Sequence, residues 1–286
     1  MLIARCVSKG WLLVLSTCVL LVPSSAGAHG AIHEQIAAVT DEINRNPTSA
    51  GLYAKRGELH SDHGDWDAAL RDFDHAGRLD SSLSIVDLGR GKALFQAGHV
   101  ASAKEALDRY LVRQPHHTDA LVLRARVLAQ LGHLAGSATD YTRAIGYLAQ
   151  LGRPNPDYYF ERASVTAAQG RARIPAALRG LDEGMVVLGP LVTLQHYAIE
   201  LELTAGRTEA ALTRLDSLAR QQSNRPEAFL ARRGQILEQA GRSAEARAAY
   251  EQAAAAIDAL SPNHRRTRAI LELASDVRGA LDRLQR

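Results

Sequence analysis

The sequence predicts an all-α solenoid of about six helix-turn-helix repeats, with a helical cap at each end. Gly64, Gly98 and Gly132 stand 34 residues apart. Around them Gly57 recurs as Gly91, Ala69 as Ala103, and Phe73 as Leu107 and then Tyr141, all at the same interval. A fixed period in this range marks stacked units, each too small to bury its own apolar face. The apolar residues between these landmarks recur every three or four positions, and no stretch shows the alternation of a strand.

The first 28 residues differ from the rest. Arg5 and Lys9 precede an apolar run from Trp11 to Val22, and Pro23-Ser24-Ser25 leads into the small-x-small signal Ala26-Gly27-Ala28. This is the pattern of a bacterial-type secretory signal peptide, with cleavage expected after Ala28 and a periplasmic or secreted destination. The alternatives are retention as a membrane anchor and acylation at Cys18. The run is shorter than the roughly 20 residues a spanning helix needs, and Leu15-Ser16-Thr17 is a loose match to a lipobox. Both cysteines, Cys6 and Cys18, lie in this segment. The processed chain therefore has no disulfide, cysteine nucleophile or thiolate metal site. Removing two basic residues and no acids leaves the charges nearly balanced. No basic tract then points to nucleic acid, and no stable membrane insertion is expected after cleavage.

The remaining chain divides into a capping helix over 29–47, the array over 48–261 and a second cap over 262–286. Ile32, Ile36, Val39 and Ile43 give the first cap its apolar face, and Asn46-Pro47 stops it. In unit one, Tyr53, Gly57 and His60 share a helix face, His63-Gly64-Asp65 breaks the helix, and Ala69, Phe73 and Ala76 form the face of the next. Small residues at Gly57 and Ala69 let the two backbones approach, and Gly64 supplies a left-handed stop. Unit two keeps Gly91, Leu94, Gly98, Ala103, Leu107 and Tyr110, ending at Pro115. Unit three keeps Ala125, Leu128, Gly132, Tyr141 and Ala144. The register then loosens at Gly152-Arg153-Pro154-Asn155-Pro156, read as an extended loop. Unit four has Tyr159, Ala163, Gly170, Ala177 and Leu181, with Ile174-Pro175 expected to lengthen its internal turn. Ile199, Gly206, Ala211 and Leu215 mark unit five. Leu230, Gly234, Leu237, Gly241, Ala246, Tyr250 and Ala253 mark unit six. The final cap is expected as one helix with Ile270, Leu273, Val277, Leu281 and Leu284 inward. Two regular blocks joined by an irregular segment result.

These units resemble the tetratricopeptide repeat, whose pattern W-x2-L-G-x2-Y, A-x3-F, P reads here as Tyr53-x2-Arg56-Gly57-x2-His60 and Ala69-x3-Phe73. The resemblance implies a right-handed superhelix whose first helices line a concave face, at repeat positions 2, 5, 9, 12 and 13. It also implies a protein or peptide partner held by Glu58, Asp62, Leu88, Lys92, Phe95, Val122, Arg126, Phe160, His196 and Glu200, with Ala54, Ser61 and Gln96 beside them. Such mixed polarity suits a peptide groove with a few anchors, and equally a solvated wall. The carboxylate clamp of some family members needs Lys and Asn where unit one has Ala54 and Glu58, so that clamp is absent. Lys92 and Arg126 could meet an acidic peptide, while Glu58 and Asp62 bias the other end toward a basic one.

Other chemistry is sparse. Arg56, Arg90, Arg124, Arg162 and Arg233 recur at one repeat position, and the favoured reading packs their stems along the helix pair and their heads on carboxylates such as Asp72, Asp108 and Asp140. Cleavage after Ala28 would place a free amine on His29 with His33 one turn later, so metal handling through His29 and His33 is the alternative function. His60, His63, His75 and His116-His117 have no fixed ligand pattern around them. Phosphate loops, nucleophile elbows and dinucleotide fingerprints are missing, and His33-Glu34 lacks the second histidine of a zinc-protease motif. No catalytic activity and no cofactor are expected, and the oligomeric state is undetermined.

Overall fold

The structure, a computed structural model, describes residues 26–222 and 224–285. Its regular structure is helical, and no strand occurs among the described residues. Six antiparallel pairs follow one another: α2 (Ala50–His63) with α3 (Trp66–Leu79), α4 (Ile85–Gln96) with α5 (Val100–Arg113), and α6 (Thr118–Gln130) with α7 (Leu134–Gln150). Next come α8 (Pro156–Ala167) with α9 (Ile174–Leu188), α10 (Val192–Thr204) with α11 (Thr208–Gln221), and α12 (Pro226–Gln239) with α13 (Ser243–Asp258). The cap α1 (Ala26–Arg45) precedes them and packs on α2, while α15 (Arg268–Leu284) closes the other end against α13, with the short α14 (Pro262–Arg265) packed on α15.

The glycine period is a period of helix stops. Gly64, Gly98 and Gly132 have φ of 85°, 83° and 78°. Only a residue without Cβ adopts this region freely. In each case the amide after the glycine donates to the carbonyl five residues back: Asp65 to His60 at 2.9 Å, His99 to Leu94 at 2.8 Å and His133 to Leu128 at 2.8 Å. These bonds satisfy carbonyls that the ending helix leaves without partners. Gly206 and Gly241 repeat the arrangement in the second block.

The other repeated glycines set helix spacing. A Cβ on Gly91 would stand 2.7 Å from Leu107 Cγ, and one on Gly89 would stand 2.4 Å from the Phe73 ring. Neither fits, so α4 lies directly on the side chains of α3 and α5. Phe73, Leu107, Tyr141, Leu181, Leu215 and Tyr250 consequently sit at most 2% exposed along the axis of the stack. The core passes from one buried cluster to the next rather than forming a single mass, as expected of units that touch only their neighbours.

Arginine ties the layers together. Arg56 reaches Asp72 through Nε at 2.8 Å and Nη2 at 2.7 Å, and Arg124 reaches Asp140 in the same two-pronged way at 2.7 and 2.8 Å. Arg124 also donates through Nη1 to Asp108 at 2.8 Å, so one guanidinium spans α5, α6 and α7. Arg162 bonds Glu183 at 2.6 Å, and Arg233 bonds Asp216 at 2.7 Å. Arg90 turns back to Asp74 of the preceding pair, at 2.6 and 2.9 Å. The carboxylate reading of this row holds at all five positions.

Two local expectations change. Ile174-Pro175 does not lengthen a turn: Ile174 is buried and Pro175 stands in the first turn of α9, where its missing amide costs no hydrogen bond. The added length is a 3-10 turn at Arg171–Arg173. The final cap is not one helix over 263–286, because Thr267 is extended (φ −67°, ψ 143°) and its hydroxyl donates to the His264 carbonyl at 2.7 Å. Ile270, Val277 and Ala280 of α15 are buried, with Leu273, Leu281 and Leu284 packed around them. The first cap stops at Arg45, before Asn46-Pro47, and buries Val39 and Ile43. It begins at Ala26, upstream of the expected processing point. Residues 1–25 of the expected signal segment lie outside the described residues.

Candidate partner groove

The first helices of units one to three stand side by side and leave a groove of about 640 Å³ between them. Its floor is apolar, made by Leu88 on α4 and Val122 and Leu123 on α6, with Phe73 beneath and Tyr158 of α8 closing one end. Its walls are polar: Glu58, Ser61 and Asp62 on α2, Lys92 and Gln96 on α4, and Asp119 and Arg126 on α6. Glu58, Asp62, Leu88, Lys92, Val122 and Arg126 are thus brought together as expected from their repeat positions.

Four other expected residues lie elsewhere. Phe95 packs half-buried against the core cluster that holds Leu107 and Tyr110. Phe160 packs against Tyr197 with ring centres 4.7 Å apart and planes tilted by 50°, and Glu200 is ion-paired with Arg232. His196 is exposed on α10, away from the groove lining. Ala54, also expected to face inward, is buried in the core around Phe73. Ile85, Asp119 and Tyr158 line the groove without having been singled out. Ile85 and Asp119 occupy repeat position 2 of their units, so the family register contained them. Tyr158 stands at repeat position 3 of unit four, outside the set that the family register places inward.

Charge inside the groove is less balanced than its composition implies. Arg126 is engaged: its guanidinium donates to both Glu161 oxygens, at 3.0 and 2.7 Å, and the Tyr141 hydroxyl donates to the same carboxylate. Burial pushes the Glu161 carboxyl up, but the hydrogen bonds from Arg126 and Tyr141 outweigh it and leave the group below the ordinary carboxylate range. The Tyr141 phenol is raised, first by burial and then by this bond. Lys92, Glu58, Asp62 and Asp119 form no ion pair among the described residues. Asp119 nevertheless acts on the site, since its charge adds to burial in raising the Tyr158 phenol.

The Glu161 arrangement predicts an acid limb of stability. A carboxyl held low in the folded state contributes above its unfolded value of about 4.3, and the contribution is lost as pH falls through the folded value. Wild-type protein should therefore lose more melting temperature than Glu161→Gln between about pH 5 and pH 3. Parallel melting curves for the two proteins over that range would count against the network.

Metal chemistry has a narrow basis. His33 Nε2 on α1 lies 3.1 Å from His63 Nε2 on α2, a contact that joins the cap to unit one. The His29 side chain lies outside the described residues. Among the described residues, no group of three or more His, Cys, Asp or Glu is placed to hold an ion. No described helix is long and apolar enough to cross a membrane.

The chain matches the tetratricopeptide repeat family over residues 88–150 and 198–262. No curated protein matches it. Among solved structures it is similar to YrrB, described as a TPR protein with an unusual peptide-binding site, at 21% identity and a TM-score of 0.55, over 65% of this chain and 93% of that one. A tetratricopeptide repeat protein from Parabacteroides merdae aligns at 14% identity and TM-score 0.51, over 88% and 94% of the two chains. MamA aligns at 15% and 0.54, over 62% and 93%. At these identities the likeness is one of fold. The matched segments include most of unit two, all of unit three, most of unit five and all of unit six, and helix pairs of the same architecture occupy the intervening residues. Residues 88–150 and 198–262 thus match the tetratricopeptide repeat, and the chain has the α-solenoid fold of tetratricopeptide-repeat structures.

Proposed function

We propose that this protein is a noncatalytic scaffold or adaptor that holds a peptide or protein segment in the groove across α2, α4 and α6. The observation that carries the reading is the groove itself: an apolar floor beside four charged side chains, Glu58, Asp62, Lys92 and Asp119, that make no ion pair among the described residues. Buried apolar anchors supply affinity in such a site, and the surrounding charges select orientation. The peptide-binding site ascribed to YrrB, a protein of the same fold, adds support.

The test uses side chains that are exposed on the groove walls, so that loss of binding is not loss of fold. The full processed protein, immobilised, is expected to capture a partner from the native envelope fraction. The double variant Ile85→Arg, Gln96→Arg is expected to recover about tenfold less of it, as two large charges obstruct the groove. Circular dichroism should be unchanged. Equal recovery by both proteins places the binding surface elsewhere.

Export is part of the same proposal, supported by Arg5, Lys9, the Trp11–Val22 run and Ala26-Gly27-Ala28. Cleavage after Ala28 would still leave α1 its buried Val39 and Ile43. Mass spectrometry of protein recovered from the envelope should find His29 as the first residue. An intact Met1 terminus there would refute processing.

A further inference from the structure

Granted that the groove binds a peptide, its charge pattern specifies which kind. Three acids face it without an ion-pair partner among the described residues: Glu58 and Asp62, exposed and one helical turn apart on α2, and Asp119 in the first turn of α6. Of the two cations on its walls, Arg126 is already neutralised by two hydrogen bonds to Glu161. Among the described residues of the lining, Lys92 is left to offer an unpaired positive charge, set on α4 between the acidic helices.

We infer that the groove selects a basic, apolar peptide: a segment whose Lys or Arg side chains meet Glu58, Asp62 and Asp119 while Leu- or Phe-like side chains enter the floor of Leu88, Val122, Leu123 and Tyr158. An acidic segment would set its carboxylates against three like charges with one lysine to relieve them, and like-charge juxtaposition suppresses binding strongly. Nucleic acid meets the same obstacle through its phosphates. The inference rests on the groove reading, and it reverses what Arg126 suggests when its partner is unknown.

The experiment is a selection from a display library of random peptides about ten residues long, enough to cross three packed helices in extended form. The bait is the full processed protein, with the Ile85→Arg, Gln96→Arg variant as the counter-selection. Peptides retained by the wild type alone should carry Lys and Arg at least about threefold over Asp and Glu relative to the input, with apolar residues between them. The variant Glu58→Lys, Asp62→Lys, altered at exposed positions, should lose that enrichment and shift toward acidic sequences. Retained peptides without a basic bias, or an unchanged selection by Glu58→Lys, Asp62→Lys, would overturn the inference and leave the groove intact. No peptide distinguishing wild type from the groove-blocked variant would overturn both.

Discussion

Phe73→Ala is expected to destabilise the first block by about 3–5 kcal/mol, the range for emptying a buried aromatic position. Phe73 is 0% exposed, and its ring lies under two glycines. The ring stands 3.0 Å from where a Gly57 Cβ would be and 2.4 Å from where a Gly89 Cβ would be. Neither neighbour has a side chain that could swing into the vacated space, so the cavity persists. Phe73 also supports the groove from below. The loss should be local, since each unit leans only on its neighbours. Amide exchange should accelerate in α2, α3 and α4 and hardly change in α12 and α13. Phe73→Leu, which refills much of the volume, should cost about 1–2 kcal/mol. A cost below about 1 kcal/mol for Phe73→Ala in urea unfolding would show that the site collapses freely, against the two-glycine reading.

Arg124→Met should cost a similar amount, about 3–5 kcal/mol, for an electrostatic reason. Asp140 is 3% exposed, and Arg124 supplies both of its short hydrogen bonds. Among the described residues, removing the guanidinium leaves the buried carboxylate with the more distant Arg143, at 3.8 Å, as its remaining cation. Asp108 is far more exposed and regains water, so it contributes less of the cost. The double variant Arg124→Met, Asp140→Met should recover most of the loss, because the penalty lies in the unpaired charge rather than in the missing pair. Arg124→Lys should recover little, since one ammonium cannot bond two carboxylates in that forked geometry. Urea unfolding of the four proteins decides it: an Arg124→Met cost that Asp140→Met does not relieve would assign the effect to packing.

Much of this architecture is legible before any coordinates. The turn glycines act within their own helix ends, so Gly64, Gly98 and Gly132 announce their role by spacing alone. The same holds for Asn46-Pro47. The arginine row shows where local reading stops. That each guanidinium finds a carboxylate follows from the abundance of acids on the second helices, but Arg90 chooses Asp74 behind it while Arg124 spans Asp108 and Asp140 on both sides. Those choices depend on how far apart successive layers sit. The same dependence separates Phe160 and His196, correctly registered on first helices, from the groove that Leu88 and Val122 share. Tyr158 enters that groove from a repeat position outside the inward set.

The sequence by itself determined the repeat, its six units and the irregular joint, because these depend on contacts within a helix pair or on a backbone dihedral. Tertiary structure alone decided which inward residues form a common surface and which charges there remain unspent. Arg126 and Glu161 lie 35 residues apart and meet only when two units stack. That pairing, set by the distance between layers, is what turns a groove of mixed charge into an acidic one.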